Sequence, residues 1–301
     1  MKDFKVLLTG MCNARCSFCF GASKEIPTTE QQTLWVSGLR NAFRQATEDY
    51  QKLNISGAEP TLSPVFTDTL NAIRAYRHKF PKVVLTSNGF NLSPSTKLRD
   101  AVDFLNISRH SHDDYTNKKI FGTNAVPDKE EVGGIIHRAN KQGIECSLSM
   151  VITGYSTTAE DLINMIKFGK DVGASAIRVR NDFNKGLTAS VLENQFLDYT
   201  AVYEDACPAC RVKKQIINGM PIYWVLGVPE PSNVVDYVYE ILYNERGKLV
   251  LDYAGNKPFA FKQIVDRRPR IIDAVFGGGC GVGRQPVYDG CGGRRMPTSG
   301  C

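Results

Sequence analysis

A chain of 301 residues that is 42% apolar and 23% charged can bury a sizeable core, which excludes a disordered polymer and suits one large domain or one large plus one small. No run approaches the roughly 18 apolar residues of a membrane span, and the opening MKDFKVLLTGM is too short an apolar stretch for a secretory signal, so a cytoplasmic protein without a membrane partner is expected. The net charge of +6 leans towards anionic partners, but the densest basic positions, Arg267, Arg268, Arg270, Arg294 and Arg295, have no interleaved aromatics and do not indicate nucleic acid.

In chain order, short apolar, β-branched runs predict strands over 5–9, 53–56, 83–86, 104–108, 145–152 and 176–180. Helical spacing fills the gaps. Trp35, Leu39, Ala42 and Ala46 share a face opened by Thr28 or Thr29, and Phe66, Leu70 and Ile73 follow Ser63-Pro64. A third helix runs from near Asp128 to Gly143, and a fourth buries Leu162, Met165 and Ile166 before Gly173. Six βα units in series predict an α/β fold with a parallel sheet, as a barrel or an open arc.

After Asn181 the rhythm breaks, which places a boundary near residue 183 between a core (1–183) and a C-terminal region (184–301). There, Leu192, Phe196, Tyr199 and Tyr203 predict a helix, and 236–243 pairs with 248–253 as a hairpin across Asn244–Gly247. The last stretch is rich in Gly and Cys.

Nine cysteines without an export signal argue for metal or cluster ligation over disulfides. Cys12, Cys16 and Cys19 stand in a C-x3-C-x2-C loop just after the first strand. Three thiolates at this spacing can hold three irons of a [4Fe–4S] cluster and leave the fourth open. Zinc is the rival, but structural zinc wants four ligands and no histidine follows this loop. Cys146 alternates with Leu148 and Met150 and reads as core.

This loop, with the aromatic Phe18 before its third cysteine, strongly resembles the radical S-adenosylmethionine (SAM) superfamily. The resemblance implies a partial (βα)6 TIM-like barrel, and an open iron that chelates SAM. One electron then gives methionine and a 5′-deoxyadenosyl radical. Gly57-Ala58-Glu59-Pro60 looks like the family's G-G-E-P segment, which contacts the methionine amino group; alanine replaces the second glycine here. Ser87-Asn88 ends the third strand and Ser108 and His110 the fourth, where barrel loops build active sites, and by similarity Ser108 and His110 face the cofactor. Arg178 and Arg180 alternate to one side of the sixth strand, where related enzymes meet the SAM carboxylate or sulfonium.

Cys207, Cys210, Cys280, Cys291 and Cys301 resemble, in position, the auxiliary-cluster module called SPASM or twitch. The expected ligands of a second cluster are Cys207, Cys210, Cys280 and Cys291, with zinc as the alternative, and Cys301 is a candidate hydrogen-atom donor. The implied function is SAM cleavage and hydrogen abstraction from a small molecule or peptide, giving oxidation, rearrangement or epimerisation in natural-product or cofactor metabolism. Flavodoxin or ferredoxin would supply the electron. The alternatives are an activase for a glycyl-radical enzyme and a noncatalytic iron–sulfur carrier.

Overall fold

The computed structural model describes residues 3–8, 11–19, 27–46, 50–93, 96–199, 201–203, 212–226, 240–251 and 258. Strands β1 (Asp3–Leu8), β2 (Lys52–Gly57), β3 (Val83–Ser87), β4 (Phe104–Ser108), β5 (Glu145–Val151) and β6 (Ala176–Arg180) lie in chain order, all parallel. Every expected strand is present, with ends shifted by a residue or two. The connections carry α1 (Thr29–Gln45), α2 (Phe66–Ala75), α3 (Asp114–Phe121), α4 (Lys129–Lys141) and α5 (Ala159–Asp171). Three of these helices begin with reciprocal capping boxes, Thr28 with Gln31, Asp128 with Glu131 and Thr158 with Asp161, which satisfy amides that a helix start leaves bare.

Strand alternation sorts the residues into two faces. Phe4, Val6, Leu8, Leu53, Ile55, Leu85, Leu105, Ile107, Leu148, Met150, Ile177 and Val179 belong to one buried core with the helices. There the Phe4 ring meets Phe43 of α1 edge-on at 5.5 Å and Phe80 at 5.9 Å. Gly169 of α5 is small enough for Leu148 and Ile177 to come within 3.5 and 3.6 Å of where a Cβ would sit. Each such fully buried side chain stabilises the fold by about 1.5–3 kcal/mol. The register brings a different set onto the opposite, lumenal face: Asn54, Ser56, Thr86, Asn106, Ser108, Ser147, Ser149, Arg178 and Arg180.

Beyond β6 the chain forms a short α6 (Ser190–Glu193), then β7 (Ala201–Tyr203), β8 (Val212–Ile217) and β9 (Met220–Val225). β9 lies parallel to β6, and β8 and β7 follow antiparallel. Finally β10 (Glu240–Tyr243) lies parallel to β1, with β11 (Leu249–Val250) antiparallel outside it. The eleven strands therefore run β11-β10-β1-β2-β3-β4-β5-β6-β9-β8-β7, an open arc whose ends are not paired with one another among the described residues.

The helix expected through Tyr203 stops early: α6 is followed by a single 3-10 turn, Asn194–Phe196, and Tyr203 lies in β7. Gln215 of β8 donates its side-chain amide to the carbonyls of Phe196 at 3.2 Å and Tyr199 at 2.9 Å, so those acceptors are taken by the sheet and not by a further helical turn. The β8–β9 hairpin, for which no expectation was made, turns on Asn218 and Gly219 at φ 48° and 73°, the left-handed pair of a tight hairpin. The hairpin at Asn244–Gly247 is present, and Tyr243 donates its hydroxyl to the Trp35 carbonyl at 2.7 Å, tying β10 to α1. Among the described residues no helix is long and apolar enough to cross a membrane.

Candidate active site

The loop of residues 11–19 leaves the end of β1 and is gripped from several sides. Glu59 donates its backbone N–H to the Met11 carbonyl at 2.8 Å, and Arg15 donates its own to the Phe121 carbonyl at 2.7 Å. Asn13 accepts from the Asn88 side chain at 2.7 Å and donates to the Ala125 carbonyl. Gly122 ends α3 in the left-handed region at φ 64°, and a Cβ there would stand 3.2 Å from the Arg15 carbonyl oxygen, so the helix end and the loop approach as closely as backbone allows.

Cys12 and Cys19 are exposed and Cys16 is half-buried. The Cys16 thiol is pushed up to about 12, by burial first and then by the negative charge that Cys19 and Cys12 would carry as thiolates. Three thiols thus share one electrostatic neighbourhood, and a cationic iron centre held there would favour the Cys16 thiolate. Yet among the described residues no three His, Cys, Asp or Glu side chains converge on a single metal ion.

Gly57 ends β2 at φ 128°, and a Cβ there would fall 2.6 Å from the Leu8 carbonyl oxygen, so only glycine fits. Ala58 is not among the described non-glycine residues of positive φ, so its methyl is accommodated. Glu59 is 1% exposed and lies at the centre of this region. Its Oε1 accepts from the Ser87 and Thr61 hydroxyls, both at 2.7 Å, and from the Thr61 N–H at 3.1 Å; its Oε2 accepts from the Asn88 N–H at 2.7 Å. Burial pushes this carboxyl up while those donors pull it back. Pro60 opens a buried 3-10 turn beside it. Asn88 thus couples Glu59 to the cysteine loop.

His110 is fully buried, packed against Phe18 at 4.8 Å, edge to face, and against Phe121 at 4.6 Å. Its Nδ1 accepts the Val151 N–H at 3.1 Å, which leaves the proton of the neutral ring on Nε2. Burial, with the neighbouring Arg109 charge second, pushes its pKa down to about 3. Below about pH 6.5 the unfolded chain therefore takes up a proton that the folded ring refuses, so stability is complete above that pH and falls as pH drops towards 3. Urea unfolding at pH 7 and pH 5 is expected to differ by about 2 kcal/mol through this group alone, and the difference should vanish in His110→Asn. An unchanged slope in that variant would remove the assignment.

On β6, Arg178 is half-buried with its guanidinium between the Tyr223 ring at 4.8 Å and the Phe104 ring at 5.7 Å, while the exposed Arg180 donates Nε to the Ser149 hydroxyl at 3.3 Å. Ser108 is half-buried beside Ser149. Three residues with structural roles escaped the sequence reading. Arg109 is buried and holds Asp114 at 2.5 Å and the carbonyl of Ser111 at 2.7 Å; Asn117 accepts the His110 N–H at 2.9 Å; Asn184 reaches the cysteine loop. No local spacing marks any of them. Cys146 is buried, its thiol pushed up to about 12 by burial. Cys207, Cys210, Cys280, Cys291 and Cys301 lie outside the described residues, as do the basic positions from Arg267 to Arg295.

The family model of the radical SAM superfamily matches residues 6–169, more than half of the chain, from β1 into α5. The chain belongs to the radical SAM superfamily. Among curated proteins, a probable GTP 3′,8-cyclase of Metallosphaera sedula is 28% identical over 183 residues, covering 60% of this chain and 55% of the relative. A GTP 3′,8-cyclase of Aquifex aeolicus is 25% identical over 264 residues, covering 86% of this chain and 76% of the relative. The chain thus spans about half the length of the first of these. Of solved structures, SuiB of Streptococcus suis superposes with a TM-score of 0.53 at 14% identity, covering 92% of this chain and 68% of that one. That likeness shows the shared fold, an α/β architecture with a parallel sheet. Radical SAM enzymes use a [4Fe–4S] cluster and SAM, and the thiols of Cys12, Cys16 and Cys19 fit that cluster.

Proposed function

We propose that this radical SAM enzyme holds its cluster on Cys12, Cys16 and Cys19 and acts on a small, hydrophilic molecule bound in the lumen of the open barrel. When bound, the cluster and SAM together supply a 5′-deoxyadenosyl radical, with the electron delivered by a carrier such as flavodoxin or ferredoxin. The protein's share is placement. Because the Glu59 carboxylate is already committed to Thr61, Ser87 and Asn88, the methionine amino group of bound SAM would be left to the backbone carbonyls of the Gly57–Pro60 turn. Ser108 and Arg180, at the carboxyl ends of their strands, would face the rest of the cofactor. Phe18, His110 and Phe121 wall the cysteine loop from water on the α3 side.

The observation that carries the substrate reading is the lumen itself. Barrel interiors are ordinarily packed with branched apolar side chains; here Asn54, Ser56, Thr86 and Arg178 are half-buried on the lumenal face among Leu7, Val84 and Phe104. Such a lining offers hydrogen bonds and a positive charge to a compact polar ligand. The curated relatives are named for GTP, which makes GTP the first compound to test.

In an anaerobic assay with SAM and dithionite, a low-molecular-weight metabolite fraction, with GTP tested separately, is expected to raise 5′-deoxyadenosine formation above the uncoupled rate. Peptide or protein fractions should leave it unchanged. Stimulation only by a macromolecular fraction would overturn the small-molecule reading in favour of a peptide modifier or an activase.

A further inference from the structure

The two halves of the cysteine loop are held differently. Residues 11–15 are fixed by Glu59, Asn88 and Ala125, in the turns that follow β2, β3 and α3, and by Phe121 at the end of α3. The second half carries two of the three thiols. Its own backbone supplies one bond, from the Cys19 N–H to the Cys16 carbonyl at 3.2 Å, and Phe18 rests on His110. The remaining grip comes from the far side of the barrel: Asn184 donates its side-chain Nδ2 to the Ser17 carbonyl at 3.0 Å and to the Cys19 carbonyl at 3.4 Å.

Asn184 stands on a braced platform. Asp182, fully buried just past β6, accepts the N–H groups of Asn184 at 3.0 Å and Lys185 at 3.2 Å on its Oδ1. The backbones of Asp182 and Leu187 exchange two hydrogen bonds, at 2.8 and 2.9 Å, and Gly186 takes φ 65° to close the turn. The platform is thus a small hairpin whose tip presents one amide to the loop after β1. In the sheet β1 and β6 are far apart, so this bond spans the mouth of the arc.

We propose that Asn184 is a positioning residue for the cluster: its amide straps the Cys16–Cys19 segment to the end of β6 and so sets how firmly that half of the iron seat is held. An exposed asparagine has no packing role that would otherwise make its removal felt. The inference rests on the reading of Cys12, Cys16 and Cys19 as cluster ligands. It adds that a residue from the sixth strand's loop, not the motif alone, controls retention and electronic state of the cluster.

The test compares wild type, Asn184→Ala, Asn184→Asp and the neighbouring Lys185→Ala after anaerobic reconstitution. Three readouts serve: iron release to a chelator, the electron paramagnetic resonance signal that responds to added SAM, and circular dichroism for the fold. Loss of two hydrogen bonds is expected to speed iron release about tenfold in Asn184→Ala. Asn184→Asp should be as fast or faster, since a carboxylate cannot donate to the two carbonyls. Both should alter the SAM-responsive signal with the fold intact, and Lys185→Ala should match wild type. If Asn184→Ala releases iron at the wild-type rate with an unaltered signal, the strap is overturned while the cluster stands. Wild-type protein that takes up no iron would instead overturn the reading of the cysteines, and the strap with it.

Discussion

Replacing Cys12, Cys16 and Cys19 together with alanine is expected to bring 5′-deoxyadenosine formation down to the protein-free background and to remove about four iron atoms per chain. The fold should survive, because the loop's strongest anchors are backbone bonds, Glu59 to Met11 and Arg15 to Phe121, that involve no thiol. Circular dichroism separates loss of the iron seat from loss of structure. Reconstituted iron also reads the C-terminal cysteines: roughly eight atoms falling to four would mean a second cluster, and four falling to none would mean one. Undiminished SAM cleavage in the triple variant would exclude this loop as the reactive centre.

The second large effect lies at Glu59. Truncation to alanine strips the acceptor from two hydroxyls and two backbone amides in a region that is almost fully buried. Orphaned buried donors cost about 1–3 kcal/mol each, and partial rearrangement reduces the sum, so a loss on the order of 3–5 kcal/mol is expected. For a chain of this size that lowers Tm by roughly 10 °C. Glu59→Gln keeps one acceptor oxygen but sets an NH2 group against amide donors, and should lie between alanine and wild type. The alanine variant should also hold iron less firmly, since Asn88 grips both Glu59 and Asn13. Differential scanning calorimetry of the three proteins decides it, and a Tm in Glu59→Ala close to wild type would show that the turn does not depend on this carboxylate.

The barrel was legible because buried parallel strands are short apolar runs, and six of them alternate with capped helices that announce themselves through pairs such as Asp128 and Glu131. The cysteine loop was legible because its chemistry is local. What escaped was short or distant. α3 buries little beyond Asn117, Ile120 and Phe121, too few positions to show a period. The Asn218-Gly219 turn between the apolar runs of β8 and β9 was a readable local signal that the sequence reading passed over, while the helical spacing through Tyr203 was overridden by the sheet. Asn184 and the two roles of Asn88 depend on contacts between residues far apart in the chain, which no window on the sequence contains. The division at residue 183 reflects a change in sequence rhythm, but the described residues on both sides of it join one sheet.

The pairing of β10 with β1 bears on how the molecule is made. Residues 3–6 find their outer neighbour only when residues 240–243 emerge from the ribosome, after nearly all of the barrel has been synthesised. Until then the leading strand offers a bare row of amides and carbonyls to any passing polypeptide. Slow growth at low temperature, or holdase chaperones supplied in excess, should therefore raise the soluble yield.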